Sequence, residues 1–249
     1  MNWRLMCLLV CGLPWVVQAT EVDPVPSVMW SFYHKQFLNS APFVFDDQVK
    51  LLAPPFAEDA RQVPLEIDAR AFKGRVVRIV AWAELNPLPK IVDFQPKAGV
   101  LPWLSIRIRI EQATPLRAAV LTDDGMWHVG STLIDAAGGG CTAPSVVRTQ
   151  PGWEERIGEV LGGRYPRGEF SRLRVQVAHP MDNGMVSGIP EFYINHAQLL
   201  GDTRQVMAEL ELFPAVSENP NLAFDIEGAG QTRLVLRDNS GNEFDAAIP

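Results

Sequence analysis

The chain has 249 residues, 47% hydrophobic and 20% charged, a globular composition with enough apolar side chains for one large or two modest domains. Lys and Arg number 22 against 29 Asp and Glu, a net charge of −7, the wrong sign for a protein that grips nucleic acid by its phosphates. No apolar run reaches the roughly 20 residues that span a bilayer, and three cysteines are too few for a disulfide scaffold.

Residues 1–19, MNWRLMCLLVCGLPWVVQA, carry Arg4 ahead of an apolar stretch from Met6 to Val17, and Val17-Gln18-Ala19 approximates a small-x-small cleavage site. That pattern predicts a Sec-type signal peptide, export to the periplasm and no membrane attachment after cleavage. Its removal takes Cys7 and Cys11 away and leaves Cys141 as the sole thiol. Cysteines in an oxidising compartment normally come in pairs, so a single one reads as a reactive thiol or an intermolecular bond.

Residues 20–60 hold aromatics and prolines without a clear period, with a short docking helix expected over 28–39. From 61 to 137 the period is two. Leu104, Ile106, Ile108 and Ile110 alternate with Ser105, Arg107, Arg109 and Glu111, as a half-buried strand requires. Further strands are predicted at 63–69, 75–84, 116–121 and 126–134, the last two joined by Asp123-Asp124-Gly125, whose glycine accepts a positive φ. Residues 138–166 read as a linker, opened by Gly138-Gly139-Gly140-Cys141 and punctuated by Pro144, Pro151, Gly152, Gly162, Gly163 and Pro166. Within it, 153–161 is expected to form one short helix.

From 167 to 249 the alternation returns, with Leu173, Val175 and Val177 against Arg172, Arg174 and Gln176. Asp182-Asn183-Gly184 marks a turn, and strands are predicted at 190–200, 204–212, 221–226, 231–237 and 243–247. Short strands with turn signals about every ten residues predict an all-β protein: two antiparallel β-sandwich domains joined by the Gly/Pro-rich linker. No βα alternation appears, which argues against doubly wound and barrel α/β folds.

Three glycines before Cys141 and Thr142-Ala143-Pro144 after it offer nothing local to bury the sulfur, so an exposed thiol on a mobile arm is expected, with Gly138, Gly139 and Gly140 supplying its flexibility. No neighbour in sequence activates it. Asp135 would raise its pKa, and Arg148 stands seven residues away. Such a thiol suits a covalent tether that carries an adduct to another enzyme better than a self-contained nucleophile.

The resemblance to known families follows from specific segments. The second half resembles SoxZ through His179-Pro180-Met181-Asp182-Asn183-Gly184, Ile189-Pro190-Glu191-Phe192-Tyr193-Ile194 and Ala215-Val216-Ser217-Glu218-Asn219-Pro220, with a closing strand pair around Asp238-Asn239-Ser240-Gly241. The first half is similar to SoxY through Val63-Pro64-Leu65, Asn86-Pro87-Leu88-Pro89 and Asp124-Gly125, and Gly138-Gly139-Gly140-Cys141 sits where that family keeps its carrier cysteine. The arrangement is that of fused SoxYZ-like carriers associated with quinoprotein dehydrogenases. The resemblance implies immunoglobulin-like sandwiches, a non-enzymatic chain, and a sulfur compound held covalently on Cys141 for thiosulfate or sulfur oxidation. It implies periplasmic sulfur-oxidation enzymes or a quinoprotein dehydrogenase system as partners, and no cofactor. One departure stands out: SoxY ends freely at Gly-Gly-Cys-Gly-Gly, whereas Cys141 is followed by Thr142-Ala143-Pro144-Ser145 and a second domain, so the arm is tied at both ends.

Two other readings of Cys141 stay open: an incidental cysteine in an accessory protein that docks on a dehydrogenase, and a redox thiol forming a sulfenic acid or a dimer. Elsewhere the signals are bland. His34, His128, His179 and His196 form no metal pattern, and His179 reads as a loop-fixing side chain. Asp123-Asp124 and Glu154-Glu155 are sequence neighbours that point apart. Arg107 and Arg109 read as a solvated sheet face, with attraction of an oxyanion cargo the sharper alternative. Trp82 and Trp103 are expected in a core or interface.

Overall fold

A computed structural model describes residues 22–228 and 230–249; the expected signal peptide, with Cys7 and Cys11, lies outside them. One α-helix, α1 (Trp30–Leu38), precedes short strands β1 (Phe43–Phe45), β2 (Lys50–Leu52) and β3 (Phe56–Ala57). The first half continues with β4 (Val63–Asp68), β5 (Val76–Ala83), β6 (Lys90–Pro96), β7 (Val100–Ile108), β8 (Thr114–Thr122) and β9 (Trp127–Ala136). The second comprises β10 (Val160–Arg167), β11 (Phe170–Val177), β12 (Ile194–Leu200), β13 (Val206–Leu212), β14 (Asn221–Glu227), β15 (Thr232–Asp238) and β16 (Glu243–Ile248).

The periodicity does what it should. In β4, Val63, Leu65 and Ile67 are buried while Pro64 is exposed; in β11, Leu173, Val175 and Val177 are buried while Arg174 and Gln176 are exposed. Gly125 (φ 85°) closes the β8–β9 hairpin, helped by Asp124, whose carboxylate accepts from the Thr122 hydroxyl at 2.6 Å and the Met126 N–H at 3.0 Å. β5 is apolar on both faces. Ile79 and Ala81 enter the main core, whereas Val80 and Trp82 face a second cluster capped by Tyr33 and Leu38 of α1. A strand covered on both sides loses its alternation for this reason.

The strands form two layers. The larger sheet runs β1-β9-β8-β5-β6-β13-β12-β15-β16, with β3 also on β9; the smaller runs β10-β11-β14-β7-β4-β2. The pairings are antiparallel except for β1 and β3, which lie parallel to β9. The two halves therefore share both sheets. In one layer β6 pairs with β13 (Phe94 opposite Leu210), and in the other β7 pairs with β14 (Leu104 opposite Phe224). One core cluster takes residues from both halves, with Phe94 and Phe224 meeting at 6.2 Å between ring centroids.

The stretch expected to be a linker, 138–166, differs from that expectation. Its last part is strand: β10 begins at Val160 and pairs with β11 along eight positions. The helix expected over 153–161 is only a 3-10 turn at Glu154–Arg156. Gly158 ends it at φ 80°, where an added Cβ would fall 1.9 Å from the Phe244 ring. The earlier part is docked rather than free, as described next.

Candidate functional site at the docked arm

The arm leaves β9 and folds back between the halves. Gly138 (φ 103°) and Gly139 (φ 80°) take left-handed conformations that other residues rarely adopt. Gly140 is needed for closeness instead: a Cβ there would sit 2.2 Å from the Ala60 carbonyl oxygen and 2.3 Å from that of Ile110. Cys141 follows. It is a free thiol and fully buried, at 0% exposure. The expectation of an exposed sulfur is thus corrected, and of the three glycines expected to lend the arm flexibility, Gly138 and Gly139 turn the chain while Gly140 is packed against the backbone of Ala60 and Ile110. Its surroundings come from far away in sequence: Arg109 and Glu111 act on the thiol, and Asn183 holds the Cys141 carbonyl.

Glu111 is the first of these contacts. Its carboxylate accepts the N–H groups of Cys141 (2.8 Å) and Thr142 (3.3 Å) and the Thr142 hydroxyl (3.1 Å). Glu111 is itself fixed by Asn86, whose Oδ1 accepts from the Glu111 N–H at 2.9 Å and whose Nδ2 donates to the Arg109 carbonyl at 2.7 Å. From the second half, Asn183 Nδ2 donates to the Cys141 carbonyl at 2.7 Å. Glu218 Oε2 accepts from Ser145 Oγ at 2.5 Å and the Val146 N–H at 2.7 Å, and Arg148 pairs with Asp182 at 2.6 Å. The arm is tied down by polar contacts along its length.

The electrostatics keep the thiol quiet. Burial pushes Cys141 up to about 12, the Glu111 carboxylate pushes it the same way, and Arg109 alone pulls down. At neutral pH the docked sulfur is a protonated thiol, not a nucleophile. Arg109 is itself buried, 3% exposed, and the solvated sheet face expected for it is corrected; Arg107 does face solvent. Desolvation lowers the Arg109 guanidinium from its usual range, with Glu218, Cys141 and Asp182 opposing. A narrow crevice of about 170 Å³ opens beside it, walled by Ala143, Ser145, Asp182, Asn183 and Gly184 and without room for a water molecule.

His179 is where the sequence placed it, in a loop-fixing role. Its N–H donates to Asn219 Oδ1 (3.1 Å), its carbonyl accepts the Asn219 N–H (2.8 Å), and Nδ1 accepts the Met181 N–H (3.1 Å). His34 and His128 bind the Ala41 carbonyl and Asp46, each at 2.7 Å, and His196 lies half-buried in β12. Asp123-Asp124 forms the β8–β9 turn and Glu154-Glu155 the exposed 3-10 turn. Trp82 and Trp103 are buried, as expected. Among the described residues no group of three His, Cys, Asp or Glu is placed to hold a metal ion, and no helix is long and apolar enough to cross a membrane. Sequence reasoning missed Glu111 and Ser145, since contacts between distant loops leave no local pattern. Asn86, Asn183 and Glu218, by contrast, lie inside segments that carry the SoxY and SoxZ resemblance.

A sulfur-oxidation carrier is the class of protein that this joint fits, and comparison with known families agrees. Residues 34–141 match the family model of the sulfur oxidation protein SoxY, ending on Cys141 itself, and residues 163–249 match that of the sulphur oxidation protein SoxZ. The chain belongs to the SoxYZ-like carriers, as a SoxY domain and a SoxZ domain fused in one polypeptide. Its role is that of a carrier in sulfur oxidation, working with sulfur-oxidation enzymes. A solved structure of the sulfur carrier protein SoxY from Chlorobium limicola f thiosulfatophilum is similar over 43% of this chain and 96% of that chain, at 18% identity and a TM-score of 0.38. No curated protein matches the chain. Neither family match supports the expected quinoprotein dehydrogenase partner.

Proposed function

We propose that this chain is a periplasmic, non-catalytic carrier that holds a sulfur-compound intermediate covalently on Cys141 and presents it to partner enzymes. The observation that carries the reading is position: Cys141 is the one cysteine among the described residues, it closes the SoxY match, and it lies at the seam with the SoxZ domain. Export through residues 1–19 would bring it to the compartment where such partners work.

Burial of the thiol sets the order of events. The docked sulfur is protonated and out of reach, so loading takes place on a released arm, where the thiol regains its ordinary pKa of about 8.5. Release breaks the contacts of Glu111, Asn183 and Glu218, all of them side chain to backbone or to short side chains. Water can replace such hydrogen bonds, each worth about 1 kcal/mol net, so local opening lies well below global unfolding. The chain supplies attachment, shelter and release; partners supply the oxidation or hydrolysis.

The test is intact-mass spectrometry of protein purified natively from the exporting cell, with and without reductant. A reductant-labile increment of sulfur, or of sulfur plus oxygen, mapping to Cys141 and lost in Cys141→Ser is the expected result. A single unmodified mass, with a thiol that never alkylates in the folded protein, would overturn the carrier reading.

A further inference from the structure

The outer face of the smaller sheet carries a trough that the arm does not use. One row of residues crosses five strands in register: Glu66 in β4, Ser105 in β7, Ala223 in β14, Arg174 in β11 and Gly163 in β10. Ser105, Ala223 and Gly163 are small, so the row sinks below its neighbours and leaves an open space of about 570 Å³. Trp103, Arg172 and Tyr165 stand along one side of it, and Arg107, Gln176 and Leu161 along the other. On the edge strand β10, Leu161 and Tyr165 are 71% and 52% exposed, large apolar surfaces that nothing in the chain covers among the described residues.

Charge on this face is sorted. The Arg172 guanidinium lies 3.6 Å from the centre of the Trp103 ring and pairs with Asp225 at 2.8 Å. Asp225 is fully buried and also takes Arg70 at 2.7 Å, while the Trp103 indole donates to Glu66 at 2.8 Å. That side of the trough is held in place with its charges already paired. Arg107 and Arg174 differ, for both face solvent and neither has a carboxylate partner among the described residues. A chain of net charge −7 therefore opens a trough with two uncommitted guanidiniums.

We propose that this trough is a docking site for an extended acidic segment of a partner protein. Five strands at a spacing of ~4.8 Å make it about 19 Å long, the reach of about six extended residues. Arg107 and Arg174 meet carboxylates there, each guanidinium able to offer two N–H groups to one acid. Tyr165 and Leu161 supply the aromatic and apolar contact that interfaces favour. The acidic remainder of the surface repels such a segment, so the trough also selects where it lands. The site adjoins the anchor of the arm, because the Arg107 carbonyl accepts the Ser217 N–H at 3.0 Å and the next residue, Glu218, holds Val146. None of its contacts involves the thiol, so the inference stands apart from the carrier reading of Cys141.

Calorimetric titration of the full chain tests it with a capped hexapeptide of five glutamates and one tyrosine, against the same peptide with glutamine for glutamate. The acidic peptide should bind one to one, about tenfold or more tighter than its glutamine counterpart, and weaken about tenfold between about 50 and 500 mM salt. Arg107→Glu combined with Arg174→Glu should lower its affinity by about tenfold or more, and both side chains are exposed, so the fold survives. Ala223→Tyr fills the floor, leaves every charge in place, and should block binding as well. Equal binding of the two peptides by the native chain, or none, overturns the proposal and needs no substitution. Full binding in folded Ala223→Tyr overturns it too, since the arginines would then act as bare surface charge. Self-association of the native chain that the double arginine substitution abolishes, seen by sedimentation equilibrium, would give the trough to a second copy instead. No outcome of this titration touches the carrier reading, which the mass of Cys141 decides.

Discussion

The two halves of this chain are joined in two physically different ways. Along the seam, β6 pairs with β13 and β7 with β14, and the side chains beneath are apolar, with Phe94 against Phe224 and Leu104 opposite Phe224. At the arm, the contacts are Glu111, Asn183 and Glu218 holding backbone groups and short polar side chains. Apolar area exposed to water has nothing to offset it, whereas a broken hydrogen bond can be remade with solvent. Under the proposed function the seam is the permanent joint and the arm the reversible one. A tether whose anchor moved as easily as its tip would not position a cargo at all.

The largest expected effect comes from attacking the seam. Phe224→Ala should cost about 3–5 kcal/mol, since Phe224 is fully buried between sheets that do not collapse easily around a void. Because one core serves both halves, denaturant unfolding followed by tryptophan fluorescence and by circular dichroism should give a single coincident transition. Two separate transitions would mean that the halves are independent and the seam weaker than drawn. Next comes Gly140→Ala, which strikes the arm alone. The added methyl meets two backbone carbonyls at 2.2 and 2.3 Å, so the docked state should be lost while the seam holds. Iodoacetamide should then modify Cys141 at close to its rate in urea, with a smaller loss of stability than Phe224→Ala causes.

Acid probes the loop that supports the arm from the second half. Burial holds the His179 imidazole down at about 4, with the nearby Asp238 carboxylate opposing, against about 6.5 when unfolded. The unfolded chain therefore binds the extra proton first. Stability from this group is complete above pH 6.5, falls as pH drops, and stops falling near pH 4, a loss on the order of 1–3 kcal/mol. Denaturant midpoints at pH 4, 5, 6 and 7 would check it, with an imidazole NMR titration assigning the group. A flat profile would show that His179 is not sealed in.

Much of the sandwich is legible in the sequence because one-sided burial writes itself as alternation. The edges of β4, β11, β14, β15 and β16 fall close to where Val63, Leu173, Leu222, Leu234 and Phe244 place them. β6 is not legible, for Ile91, Val92, Asp93 and Phe94 are all buried and the period vanishes; Asp93 is held there by Arg78 at 2.5 Å and Lys90 at 3.0 Å. β10 hides because Leu161, Gly162 and Gly163 look like linker, and its strand character comes from β11 rather than from its own residues. At the site, the sequence identifies Cys141 but not its burial. Glycines announce local freedom, and Gly140 uses that freedom to pack against Ala60 and Ile110, far away in sequence. The same lesson holds for Arg109, whose place in an alternating run suggests a wet face although β7 has ended one residue earlier.

The smallest expected effect is the most diagnostic of how the arm works. Glu111→Gln keeps the shape of the latch but removes its charge, weakening the hydrogen bonds to the Cys141 and Thr142 N–H groups and lifting the repulsion of the thiolate. With about 1–1.5 kcal/mol lost from a charge-assisted set, alkylation of Cys141 at pH 7.5 should rise roughly tenfold, while the unfolding free energy falls by only that same amount. The dependence on reagent concentration then decides which state reacts. A docked thiol, titrating near 12, would react in proportion to reagent at every concentration. A released one would give a rate that levels off at high reagent, where every opening ends in alkylation and opening itself is limiting. Linkage adds a sign. A thiol raised in the docked state favours docking below the free thiol pKa, and each pH unit above it shifts the balance toward release by about 1.4 kcal/mol. A plateau in both native and Glu111→Gln protein, higher in the variant, would show that Glu111 sets how often the arm opens and not what the sulfur does once it is out.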